Sequence, residues 1–159
     1  MRECGMLLPI ASLPSKYGIG CFSKEAYKFV DQLKEAGQSF WQILPLGPTG
    51  FGDSPYQAFS AFAGNPYFID LELLCKDKLL TKKECESYKW GKKPQYVDYG
   101  IMYVNRYALL RKAYESFFKR KHRLTMKHSA SKEAEWLDEY TLFMAIKGCQ
   151  WRSGMERVG

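Results

Sequence analysis

One stretch of the chain, residues 47–67, combines groups that could bind a hydroxylated ligand. Its polar side chains are Asp53, Ser54, Gln57, Ser60 and Asn65, and five aromatic rings lie among them. Glycine and proline recur so often here that a regular helix or a central strand is excluded. Rings and polar tips on one loop are typical of a surface that holds something flat and hydroxylated, such as a sugar. The alternative is a packed loop whose rings fill a core, and composition leaves both interpretations open.

Two acids near the predicted site, Asp53 and Asp70, are candidates for glycoside chemistry. That chemistry needs one carboxylate to attack the anomeric carbon and a second to donate a proton. Two acids seventeen residues apart in a flexible region do not establish such a pair. We expect Asp53 to be a turn residue and Asp70 to cap an element, with Asp53 still able to bind a sugar hydroxyl.

The elements that must position this loop form a strand, a helix and a second strand. Residues 5–10 and 39–44 are strand-like, and Ser23 and Gly37 are placed to cap the two ends of the helix between them. The predicted buried stripe of that helix is Ala26, Phe29, Val30 and Leu33. Such a unit favours parallel strands with a right-handed crossover. Because ligands bind at the carboxyl ends of such strands, the site is expected in residues 12–20 and 45–67.

The second half of the chain is helical. Residues 81–84 form a capping-box pattern, and helices are predicted over residues 102–120 and 131–147. No strand-like run follows Asp70. Two apolar stripes are interpreted as helix packing: Tyr103, Tyr107, Leu110, Tyr114, Phe117 and Phe118 in the first helix, and Trp136, Leu137, Tyr140, Phe143 and Met144 in the second.

The net charge of +7 is concentrated in one segment. Residues 119–132 hold six Lys or Arg and no acid, which leaves +1 for the rest of the chain. A nucleic-acid contact and a solvated connection between helices are both compatible with this segment. Since arginine and aromatic residues do not alternate there, we favour the solvated connection and expect no nucleic-acid partner.

Other function classes are disfavoured by the cysteines and by the absence of motifs. The five cysteines are odd in number and lack C-x-x-C spacing, which favours a reducing cytoplasm and argues against a zinc site. No apolar run is long enough to span a membrane. The run from Gly18 to Ser23 misses the third glycine of a dinucleotide fingerprint, so no nucleotide cofactor is expected.

Several long blocks of the sequence closely resemble the amylomaltases, which are 4-alpha-glucanotransferases. The blocks are residues 5–14, 17–20, 41–50, 52–57 and 60–67, with further similarity at 97–100 and 136–147. The resemblance implies an α/β fold: the N-terminal part of a TIM (β/α)8 barrel, followed by a mainly helical insertion. Residues 1–75 would start the catalytic barrel and carry the substrate loop. Residues 76–159 would be the insertion, truncated at its C-terminus.

The resemblance also implies an activity and a set of substrate contacts. The activity is transfer of alpha-1,4-glucan segments to the 4-hydroxyl of another glucan or of glucose, by retaining double displacement and without a cofactor. Ser54 and Tyr56 match positions that contact the glucan, and Asp53 is adjacent to them. Phe51 matches a position of a secondary glucan surface, and Tyr99 is a weaker candidate for the same surface.

The chain departs from the family in length. Family members are about three times as long, and their catalytic carboxylates lie beyond the position equivalent to residue 159. We therefore expect this chain alone to be poorly stable and without transferase activity. The alternative functions are a non-catalytic glucan-binding module and an inert fragment.

Overall fold

The computed structural model describes residues 2–50, 52–93, 95–119 and 123–156. The chain divides into two compact units, Met1–Lys119 and Arg120–Gly159. The predicted boundary between residues 75 and 76 lies inside the first unit. That boundary separates a catalytic barrel from an insertion, and it stays a prediction.

The first unit begins with a strand–helix–strand arrangement, as expected. Strands β1 (Gly5–Leu7) and β2 (Phe40–Gln42) are parallel, with Gly5 opposite Phe40, and helix α1 (Lys24–Glu35) connects them. Both strands are shorter than predicted. Within the described residues the sheet has these two strands, so the prediction of no strand after Asp70 is confirmed there.

Local hydrogen bonds fix both ends of α1. The Ser23 hydroxyl accepts a hydrogen bond from the Glu25 N–H, which confirms the predicted N-cap. At the other end Gly37 has φ 70°, and the N–H groups of Gly37 and Gln38 donate to the carbonyls of Lys34 and Leu33. This pair of bonds is a Schellman motif, whose left-handed residue is usually glycine.

The buried stripe of α1 is narrower than the sequence predicts. Ala26 and Leu33 are buried, and Phe29 packs edge-on against Trp41 with ring centroids 4.9 Å apart. Val30 is 48% exposed, so its assignment to the buried stripe was wrong.

Three α-helices follow β2 in the described part of the first unit. They are α2 (Leu71–Lys76), α3 (Lys82–Glu86) and α4 (Tyr99–Lys119). The predicted capping box is confirmed, since Thr81 and Glu84 each bond the other's backbone N–H at the start of α3. The helices share a core made of Tyr17, Leu71, Leu80, Cys85, Leu109 and Ala113.

Helix α4 buries a different face from the one expected. Its buried residues are Met102, Arg106, Leu109 and Ala113. Tyr103 and Tyr114, which the sequence analysis placed in the packed stripe, are about half exposed, at 49% and 51%. Since aromatic residues occur on several faces of α4, hydrophobic spacing could not identify the buried one. A charged arginine in the middle of that face obscured it further.

The second unit contains α5 (Arg123–Lys132) and α6 (Ala134–Glu156), which pack on each other. In α6 the rings of Trp136 and Tyr140 lie 5.9 Å apart. Residues 120–122 of the basic segment lie outside the described residues. Among the helices that the structure describes, none is both long enough and apolar enough to cross a membrane.

Candidate functional site

The loop after β2 is closed at its base by backbone hydrogen bonds. The Asn65 N–H donates to the Leu46 carbonyl at 2.8 Å. The Asn65 side chain is buried, and its Oδ1 accepts a hydrogen bond from the Tyr67 N–H at 3.0 Å. Gly47 packs so closely on Ala58 that a Cβ at residue 47 would lie 2.7 Å from the Ala58 Cβ. The loop is therefore a self-packed unit held at the carboxyl end of β2.

Ser54 and Tyr56 occupy one turn of this loop. The Ser54 Oγ accepts from the Tyr56 N–H at 3.4 Å, and the Ser54 carbonyl accepts from the Gln57 N–H at 3.1 Å. These bonds leave the Tyr56 side chain 73% exposed. An exposed ring beside a serine hydroxyl offers a stacking face and a hydrogen-bonding group to a ligand.

Asp53 is a turn residue, as expected. It has φ 55°, in the left-handed region that Asp tolerates better than most residues, and its N–H donates to the Gly50 carbonyl at 3.2 Å. Partial burial raises the pKa of Asp53, and hydrogen bonding from Thr49 opposes that rise.

Asp70 caps α2, which confirms the structural role expected for it. Its Oδ1 accepts from the Glu72 N–H at 2.9 Å, and the residue is buried. A carboxylate engaged at a helix N-terminus stabilises the helix in its ionised form. Asp53 and Asp70 thus both have local structural partners.

A cluster of tyrosines connects the loop to α4. Tyr67 is buried, with its ring centroid 6.2 Å from Tyr99 and 5.9 Å from Tyr107. Burial raises the pKa of Tyr67, with further upward contributions from Tyr107 and Asp53. Burial is the main cause of the raised pKa of Tyr99, and the charge of Asp53 adds to the rise. Tyr99 thus lies beside the buried ring of Tyr67, whereas Phe51 lies outside the described residues.

A separate cleft of about 780 Å³ opens beside Tyr99. It is lined by the loop after β1, which includes Ser12, and by a later segment that contributes Trp90, Tyr96 and Tyr99. Ser54 and Tyr56 are not among the residues that line it. Tyr99 and the pair Ser54 and Tyr56 therefore belong to different surface features.

Sequence reasoning missed Arg106 as a residue that organises this region. It is fully buried, and its Nη2 donates to the Ile69 carbonyl, which joins α4 to the segment before α2. Its Nε and Nη1 have no hydrogen-bond partner among the described residues. Burial lowers the pKa of Arg106, and the neighbouring Cys21 and Asp70 oppose that shift. The only signal in the sequence was an arginine at helical spacing from Met102 and Leu109.

Comparison with known proteins identifies the class to which this fold and loop belong. A family model described as 4-alpha-glucanotransferase matches residues 8–157. The chain therefore belongs to the 4-alpha-glucanotransferase family.

Individual relatives agree with this assignment. A 4-alpha-glucanotransferase from Clostridium butyricum is 51% identical over 138 residues, which cover 87% of this chain and 28% of that protein. One from Thermus thermophilus is 45% identical over 150 residues, covering 92% of this chain and 29% of that protein. Among solved structures, the amylomaltase from Streptococcus agalactiae in complex with acarbose has a TM-score of 0.86 and 44% identity. That match covers 92% of this chain and 30% of the amylomaltase. The chain thus spans less than a third of the length of these relatives.

Proposed function

We propose that this chain supplies the substrate-contacting N-terminal region of a 4-alpha-glucanotransferase. The observation that carries the proposal is the family match across residues 8–157 together with the exposed Tyr56 on a closed loop at the carboxyl end of β2. The reaction would transfer alpha-1,4-glucan segments to the 4-hydroxyl of another glucan or of glucose. In the finer fold assignment, β1, α1 and β2 are the first two strands and crossover helix of a TIM barrel, and the helices after them form an insertion.

We assign a role to each of the predicted site residues. The Tyr56 ring provides a face for the apolar C–H surface of a glucose unit. The Ser54 hydroxyl bonds a sugar hydroxyl, and Asp53 lies next to it in the same turn. Tyr99, together with Phe51, contributes to a secondary glucan surface. A solved structure of a related amylomaltase is a complex with acarbose, which supports an oligosaccharide as the ligand.

We propose that the carboxylates which attack the anomeric carbon and donate the proton are not among residues 1–159. Near the loop, Asp53 is committed to a turn and Asp70 to a helix cap. Retaining hydrolysis and transfer require two carboxyl groups about 5 Å apart across the scissile bond. The 159-residue chain alone is therefore expected to release no glucose from maltotriose.

A chimera tests the proposal in a catalytically complete setting. Residues 8–157 would replace the matching segment of the Thermus thermophilus relative, and the chimera would be incubated with maltotriose. Glucose together with longer maltooligosaccharides is the expected outcome. A chimera that folds, as judged by cooperative unfolding, but forms no products would contradict the proposal.

The role of Tyr56 is tested in that chimera against a matched control. Tyr56→Ala should lower kcat/KM by about 2- to 13-fold, because a stacking interaction of about 0.5–1.5 kcal/mol is lost. Tyr27, on α1, is 75% exposed and makes a suitable control. Tyr27→Ala should leave kcat/KM unchanged. Equal effects of the two substitutions would remove Tyr56 from the substrate surface.

A non-catalytic glucan-binding module is the second candidate, supported by the exposed Tyr56 in the chain itself. Titration of the 159-residue chain with maltoheptaose, followed by aromatic fluorescence, distinguishes the candidates. Saturable binding without turnover, abolished by Tyr56→Ala, would indicate a binding module. Absence of binding would indicate that the loop needs further barrel strands to function.

We also propose a reducing compartment such as the cytoplasm, based on cysteine usage, and no nucleic-acid partner.

A further inference from the structure

Two cysteines that are unremarkable in the sequence meet in the core of the first unit. Cys75 is on α2 and Cys85 is on α3, and both are free thiols. Their Sγ atoms lie 3.6 Å apart, although the residues are ten positions apart in the chain. The turn between the helices includes Lys78 at φ 58°, and the Leu79 N–H donates to the Leu74 carbonyl at 2.9 Å. The turn therefore folds α3 back onto α2.

We propose that Cys75 and Cys85 are an oxidation site that closes to an intramolecular disulfide when the protein meets a peroxide. A disulfide has an S–S length of about 2.05 Å, so the sulfurs must approach by about 1.5 Å. The two cysteines lie on short helices of six and five residues. A short helix can shift by that amount more readily than a long one packed along its whole length. This inference does not depend on the proposed transferase function.

The chemistry balances with hydrogen peroxide as the oxidant. The Cys75 thiolate attacks one peroxide oxygen, the O–O bond breaks, and hydroxide leaves and is protonated to water. Cys75 is then a sulfenic acid. The Cys85 sulfur attacks the Cys75 sulfur, the S–O bond breaks, and a second water leaves with the proton from Cys85. In total two thiols are oxidised, one peroxide is reduced, and two waters form.

The environments of the two thiols set the order of these steps. Cys75 is half-buried, whereas Cys85 is fully buried. Burial raises the pKa of Cys85 to about 12, and the adjacent Cys75 sulfur adds to the rise. Since the thiolate is the nucleophile toward peroxide, Cys85 is a poor first reactant. Cys75 is the accessible thiol, and Cys85 is held in position to resolve its sulfenic acid.

The disulfide would reinforce the contact between α2 and α3. The Cys85 carbonyl accepts a hydrogen bond from the Trp90 indole N–H at 3.0 Å, and the Trp90 ring packs edge-on against Tyr17 with centroids 5.8 Å apart. Cross-linking residues 75 and 85 therefore anchors the start of the segment that lines the large cleft. By constraining the unfolded chain, the cross-link is expected to raise the melting temperature.

The test is peroxide oxidation of the 159-residue chain, followed by alkylation of remaining thiols and peptide mapping of disulfides. Cys4 and Cys21 provide an internal control, being seventeen positions apart in the sequence. In the folded chain Cys4 lies against the Gly37 carbonyl, while Cys21 lies beside Arg106. In denaturant, loop length alone favours the Cys75–Cys85 link by about twofold over the Cys4–Cys21 link.

Under native conditions the Cys75–Cys85 disulfide should exceed the Cys4–Cys21 disulfide by about tenfold or more, because the fold holds only the first pair in contact. Cys85→Ser should stop the reaction at a Cys75 sulfenic acid, which dimedone traps. The proposal would be overturned if the ratio of Cys75–Cys85 disulfide to Cys4–Cys21 disulfide were no higher under native conditions than in denaturant. An unreacted Cys75 in a folded Cys85→Ser variant would overturn it as well. If that variant does not fold, the comparison of native and denatured wild-type chain decides.

Discussion

A methyl group added at Gly20 is expected to destabilise the loop that follows β1. A Cβ at residue 20 would lie 2.7 Å from both the N and the O atom of Leu13, and closer still to the Ile10 carbonyl oxygen. All three atoms belong to the backbone of the short turn at Ile10–Ser12 and its cap. Because backbone cannot rotate away as a side chain can, the turn itself must shift. The Gly20 N–H bond to the Ala11 carbonyl, 3.0 Å long, would be strained as well.

The expected cost of Gly20→Ala is about 1–3 kcal/mol, the usual range for overpacking a well-filled site. Gly64 provides a matched control in another loop of the same unit, since a Cβ there meets no atom within 4 Å and its φ is not positive. Gly64→Ala should change stability by less than about 1 kcal/mol, in the stabilising direction if at all.

Proteolysis by trypsin measures this difference without a complete unfolding curve. The chain offers 24 Lys and Arg residues as cleavage sites, and cleavage reports the population of open chain when opening is fast. A destabilisation of 1–3 kcal/mol corresponds to cleavage faster by roughly 5- to 150-fold. Equal cleavage rates for Gly20→Ala and Gly64→Ala would refute the steric argument.

Two further predictions concern single hydrogen bonds. Trp41→Phe removes the indole bond to the Leu8 carbonyl, 2.8 Å long and partly buried, and should cost about 1–3 kcal/mol. Trp136→Phe removes an indole bond to an exposed carboxylate and should lower the free energy of unfolding by less than about 0.5 kcal/mol. Urea titration measures both variants, and equal losses of stability would contradict the argument. Thr81→Ala should lower stability by about 1 kcal/mol. Hydrogen bonds from Thr81 lower the pKa of Glu84 in the folded chain. The stabilisation that these bonds provide is therefore present above pH 4.5, the pKa of Glu84 in the unfolded chain, and it is lost as the pH falls through the lower pKa of the folded chain. Urea titrations of wild type between pH 6 and pH 3 should show that loss. The variant loses the hydroxyl bond to Glu84 but keeps the backbone N–H bond, so its loss should be smaller; parallel pH profiles would refute the assignment.

Features that depend on neighbouring residues could be predicted from the sequence. The Ser23 cap, the Gly37 C-terminal motif and the Thr81 capping box each involve groups no more than five positions apart. The strand–helix–strand order followed from hydrophobic periodicity and from these caps. The family resemblance was visible because long blocks of the substrate loop occur in order. Such information is carried by spacing along the chain, and folding adds little to it.

Features that depend on distant partners could not be predicted. The predicted buried face of α4 was displaced by about one residue from the observed one. Arg106 is on the observed face, where it bonds to Ile69, 37 positions away. Val30 has apolar spacing but no element in the described residues to cover it. Spacing along the chain cannot specify which face of a helix meets another element when several faces are apolar.

The sequence by itself determined the family, the order of the first elements and the residues proposed to contact glucan. Only the tertiary structure placed Tyr99 and Tyr107 around the buried ring of Tyr67, and only it brought Cys75 against Cys85. The physical reason is the range of the interactions. Caps and turns are decided by a few adjacent residues, whereas a buried ring or a thiol pair is decided by which distant segments the closed chain packs together.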